Sequence, residues 1–130
     1  VFISDWLQIK FDEINDDNDS GMMIIPIENI AELVNNGTVF LMYIKTALDD
    51  QFIVYPLPHD NHTFTFAIVN VDILGKGLIF GANTSNVSEL ENRPSYTIQY
   101  VLIPKSTSVS INMDFSNMSH DELMDYLQVE

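Results

Sequence analysis

Between residues 6 and 103 the chain is written mostly in periods of two. Residues 6–11 (WLQIKF) set Trp6, Gln8 and Lys10 against Leu7, Ile9 and Phe11, which predicts a first strand. Residues 38–46 (TVFLMYIKT) and 51–57 (QFIVYPL) are β-branched and aromatic and flank ALDD, the pattern of a hairpin. The first of the pair is apolar at both parities, as a central strand covered on two sides would be. Pro56 cannot donate to a ladder, so it places the end of the second at an edge or a strand exit.

In residues 63–73 (TFTFAIVNVDI) the apolar parity changes from Phe64, Phe66 and Ile68 to Val69, Val71 and Ile73, which predicts a bulge near 67–69. Residues 78–80 add a short strand and 96–103 (YTIQYVLI) a long one. In residues 109–115 (VSINMDF), Ser110, Asn112 and Asp114 alternate with apolar neighbours, so one face of that strand should be wet.

The period lengthens twice. After the short apolar run MMIIPI, Ile27, Ile30, Leu33 and Val34 fall at helical spacing and Asn35-Asn36-Gly37 ends them, giving a short helix near 28–36. In NMSHDELMDYL, Ser119 stands three residues before Glu122, which is a capping box, and Met118 with Leu123 occupies the positions of a hydrophobic staple. A C-terminal helix near 120–128 follows, with Asp121 and Glu122 in the turn where the helix dipole favours anions. The segment between 81 and 94 is polar and reads as a loop with one helical turn at SELE. Together these elements predict an α+β, mostly β chain: a single domain, 1–130, built on an antiparallel sheet or roll of about seven strands.

Composition narrows the class. Apolar residues make up 46% and charged ones 18%, enough core and little enough charge to exclude intrinsic disorder. There is no cysteine, which removes disulfide frameworks, thiolate metal sites and cysteine nucleophiles together. No apolar run has bilayer-spanning length, no signal-peptide pattern opens the chain, and Val1 in place of Met reads as trimming, processing or excerption.

Charge changes the picture most: 19 acidic side chains stand against five basic ones, a net of -14. Such a surface repels phosphate backbones and anionic membranes, so neither nucleic acid nor membrane is an expected partner. A protein with a basic surface is.

Candidate chemistry is sparse. Within FDEINDDNDSG, Asp16, Asn18 and Ser20 put oxygen donors at alternate positions before Gly21, half of a calcium loop. The bidentate Glu is missing from its place, which Ile27 occupies, and no other cofactor is indicated. His59, Asp60 and His62 in PHDNH have zinc-ligand types but lack two further ligands. Ser119, His120 and Asp121 have the residue types of a hydrolase triad, yet consecutive helical residues point about 100° apart and cannot form its relay. Several Asn-X-Ser/Thr triplets occur, as they readily do in an Asn-rich chain.

The expectation is a non-enzymatic acidic domain that binds another protein, of the assembly-subunit or inhibitor type that phages and bacteria encode. Asp121, Glu122 and Asp125 would form its main contact patch, and Asp16, Asp17 and Asp19 a second. A viral or extracellular surface domain, with or without a stabilising cation, is the alternative, and a small hydrolase a third reading.

Overall fold

The computed structural model describes residues 1–48, 51–60, 63–71, 75–105 and 118–127. In chain order these form β1 (Phe2–Ile3), β2 (Leu7–Gln8), β3 (Glu13–Ile14), β4 (Ser20–Pro26), α1 (Ile30–Asn35), β5 (Val39–Leu48), β6 (Gln51–Pro56), β7 (Phe64–Val71), β8 (Gly75–Asn83), a 3₁₀ helix (Val87–Asn92), β9 (Tyr96–Ile103) and α2 (His120–Leu127). The chain is mostly β, and all pairings among the described residues are antiparallel.

The strands make two sheets where the hydrophobic pattern predicted one sheet or roll. The first runs β1-β9-β5-β6, with β2 also on β9, and the second β3-β4-β8-β7. Alternation specifies which side of a strand is buried but not what covers it, so the division into two sheets was not legible strand by strand.

β5 shows how the layers are built. Its Phe40, Met42 and Ile44 face the second sheet and pack with Ile98 of β9, Ile25 of β4 and Leu78, Phe80 and Ala82 of β8. Its Leu41 and Tyr43 face the other way and form a second core with Val101, Ile103 and the fully buried Leu123 of α2. The order of layers is therefore helix, sheet, sheet, which explains why residues 38–46 are apolar at both parities. Burying a leucine such as Leu123 contributes roughly 1.5–3 kcal/mol, so this contact outweighs the propensity of an eight-residue helix.

Local chemistry fixes the element ends. α1 ends before Gly37, whose φ of 76° suits a left-handed helix end, and Thr38 N–H donates to Leu33 O at 3.1 Å. MMIIPI extends into the seven-residue β4, laid against β8 at unusually close range. A Cβ at Gly77 would stand 2.0 Å from Ile25 O, so only glycine fits there.

Two expectations change. The first strand shrinks to Leu7–Gln8, although Ile9 beyond it is fully buried. β7 has no bulge: its register with β8 is continuous from Phe64↔Ala82 to Val71↔Gly75. Burial still changes parity, from Phe64 to Val69, within that unbroken ladder; helix α1 packs against β7, so its surroundings and not a slip set the phase. The strand expected at 109–115 lies outside the described residues.

Candidate functional site

The N-terminus of α2 meets the first sheet beside β6, and the capping box sets how. Ser119 Oγ accepts the Glu122 N–H at 3.1 Å, and a Glu122 carboxylate oxygen accepts the Ser119 N–H at 3.4 Å. With the first turn fixed, His120 enters a polar and aromatic niche on the sheet. Its ring centroid is 5.0 Å from that of Tyr43, edge-on, and 5.3 Å from that of Trp6. Its Nε2 is 2.7 Å from Gln99 Oε1. Gln99 is buried and donates its Nε2 to Ser4 O at 3.0 Å, while Ser4 Oγ accepts the Tyr100 N–H at 3.0 Å.

Lys45 also sits over Trp6, its Nζ 4.4 Å from the Trp6 ring centroid and 5.2 Å from that of Phe52. Burial holds the His120 pKa below the ordinary histidine value; neighbouring Asp121 opposes that shift and Lys45 adds to it. Burial likewise pushes the Tyr43 hydroxyl up to about 12.

Outside this niche, Phe52, Ile53, Val54, Ser119, His120 and Asp121 line a cleft of about 250 Å³. Phe52 is 65% exposed and Ile53 56%, although both are large and apolar. Chemically the arrangement offers an apolar strand edge beside a helix start carrying a carboxylate. Ser119 Oγ is engaged at the Glu122 N–H and His120 Nε2 at Gln99, so the serine and imidazole make separate contacts.

The carboxylates expected to meet a partner fall into two places. Asp121, Glu122 and Asp125 are exposed on α2, around the buried Leu123. Asp16, Asp17 and Asp19 are exposed in the β3-β4 turn, which belongs to the second sheet and so to another layer.

That turn is closed by asparagines. Asn15 Oδ1 accepts the N–H groups of Asp19 and Ser20, each at 3.0 Å. Asn18, at a φ of 54°, accepts the Ser88 N–H on its Oδ1 at 3.0 Å and donates its Nδ2 to Ser88 Oγ at 2.9 Å. Its own carbonyl accepts the Val87 N–H, so Asn18 ties the turn to the start of the 3₁₀ helix. Of the three candidate calcium ligands, Asn18 thus has its side-chain oxygen committed and Ser20 sits in the β4-β8 ladder opposite Asn83, leaving Asp16 as an exposed carboxylate. Among the described residues no three His, Cys, Asp or Glu side chains gather as a metal-binding group. His59 stacks on Tyr55 with centroids 3.8 Å apart, and His62 lies outside the described residues.

Sequence reasoning did not single out Trp6, Lys45, Phe52, Ile53 or Gln99. Pro56 was the one signal, since it placed the end of β6 at an edge or a strand exit; the gathering of the others depends on pairings distant in sequence.

Comparison with protein-family models, with curated proteins and with solved structures finds no match.

Proposed function

We propose that the chain is a non-enzymatic acidic domain that binds a basic protein, acting as an assembly subunit or an inhibitor. The observation that carries this reading is the pairing of exposed apolar side chains with carboxylates: Phe52 and Ile53 share a cleft with Asp121, and Glu122 and Asp125 are exposed on the same helix. Apolar anchors supply the specific part of an interface, and surrounding charges chiefly speed encounter. A net charge of -14 supports a basic partner and opposes a nucleic acid.

The test is capture from source cells on the immobilised chain at low and high salt. A basic protein retained at low salt and released as salt rises is expected. Salt-independent binding, or tight retention of DNA or RNA, counts against the reading.

A further inference from the structure

We propose that the outer edge of β6 takes up an extended segment of the basic partner as an added strand; this deepens the interaction reading and rests on it. Among the described residues β6 pairs on one side only, with β5. The Leu57 N–H donates to Met42 O at 3.0 Å, which makes that pair a hydrogen-bonded one. Bonded and non-bonded pairs alternate along an antiparallel ladder. Ile53 and Tyr55 therefore point their backbone groups at β5, while Phe52, Val54 and Pro56 point theirs away. The Ala47 N–H confirms the phase: it lies opposite Phe52 yet donates to the O of Ser95, just before β9, at 3.0 Å. Among the described residues the outer edge thus leaves unpaired the N–H and C=O of Phe52 and Val54, and from Pro56 a carbonyl alone.

β7, the matching edge of the second sheet, is less open. Phe64 exchanges both backbone hydrogen bonds with His59, and α1 packs against the strand. At β6, by contrast, the edge adjoins the cleft under Asp121. An incoming strand would lay apolar side chains beside Ile53 on one face of the sheet and reach Asp121 and Glu122 with cationic ones on the other, the face that Phe52 and Val54 share with α2, the main-chain bonds giving affinity and the alternate side chains specificity. Charge selects the occupant. A second copy of this chain would bring another net -14 to the contact, whereas a basic segment is attracted. Lys45 keeps its ammonium over the Trp6 and Phe52 rings.

The probe is a ten-residue peptide of alternating Lys and Val, with a Glu/Val peptide as control, titrated into the ¹⁵N-labelled full chain. The Lys/Val peptide should shift the Phe52 and Val54 amides and slow their exchange, with affinity falling as salt screens the attraction. Val54→Pro removes an N–H that β5 does not use and should weaken binding by at least about tenfold, the loss of one well-placed hydrogen bond with its steric block. Phe52→Pro removes the other outward N–H at a mostly exposed position and serves if Val54→Pro does not fold. The proposal is overturned if the Lys/Val peptide does not bind, if the Glu/Val peptide binds equally well, if the shifts fall elsewhere, or if a folded proline variant binds like the parent. Self-association lost in Val54→Pro would also overturn it, by making a second copy the occupant. A captured partner that binds both proline variants unchanged rejects the β6 edge and leaves the interaction reading standing; failure to capture any protein, with the peptide still bound at β6, rejects the interaction reading alone.

Discussion

His120 donates to Gln99. The amide nitrogen of Gln99 is committed to Ser4 O, so its oxygen faces the imidazole, 2.7 Å from Nε2, and the neutral ring carries its proton on that nitrogen. A second proton would place a charge in a half-buried site, at the positive end of α2 and near Lys45, with Asp121 as the opposing influence. The folded-state pKa is therefore depressed. This group's contribution to stability is intact above the unfolded value near 6.5 and is lost as pH falls from there through the folded value. Thermal melts between pH 7.5 and 5 should show a decline that His120→Gln, which keeps a donor and cannot titrate, makes shallower.

The helix layer depends on one side chain and one cap. Leu123→Ala should cost about 2–5 kcal/mol in urea unfolding, because the site lies between α2 and the sheet and is fully buried. Ser119→Ala removes only the hydroxyl that accepts the Glu122 N–H and should cost about 1 kcal/mol. Equal costs would mean that α2 is not held by its docked face.

Gly77→Ala should be the most damaging small substitution in the second sheet. Its φ is 150° and its methyl would overlap Ile25 O, so β4 and β8 must separate to admit it. A loss above about 4 kcal/mol, or failure to accumulate folded protein, is expected. A near-parental melting temperature would show that the strands part there at little cost.

At the β3-β4 turn, Asn18→Ala loses both bonds to Ser88 and the polar side chain that lets asparagine tolerate a positive φ, so it should destabilise by about 1–3 kcal/mol and more than Asn18→Gly, which loses the same bonds but sheds the β-carbon. With Asn18 so engaged, millimolar calcium should leave the melting temperature unchanged. A saturable rise abolished by Asp16→Ala would assign a calcium site to the loop.

Charge reversal at Asp121 and Asp125 should slow association with a basic partner, by about tenfold at low salt, while changing dissociation much less. Both carboxylates are exposed, which is the position from which charges act on encounter. Stopped-flow or surface-based kinetics at two salt concentrations separate the two rates.

What could be read from the sequence was local in it. The capping box at Ser119 and Glu122 and the helix stop at Gly37 each depend on residues three or four apart, and each stands where the pattern placed it. The two-sided burial of β5 was legible for the same reason, since both faces are written in one run of residues. Asn18 and Ser88 are 70 residues apart, and nothing in either neighbourhood names the other. His120 looked like part of a polar helix start, and only the approach of β9 and the residues around Trp6 converts it into a half-buried donor. Val69 misled because a covering helix and a bulge leave the same trace in the hydrophobic pattern.

The pairing of β1 with β9 also has a consequence for how the molecule comes into being. Phe2 lies opposite Leu102 and Ser4 is bonded to Gln99, 95 residues away, so β1 waits for β9, the last of the described strands. The first sheet cannot close its β1 edge on a growing chain until residue 102 has left the ribosome, and the α2 layer follows later still. Closing so long a loop places the assembly among slow-folding topologies, in the range of milliseconds to seconds. During that interval the Leu41 and Tyr43 face of β5 is uncovered, which makes the nascent chain a candidate client for whatever binds exposed strands in its cell.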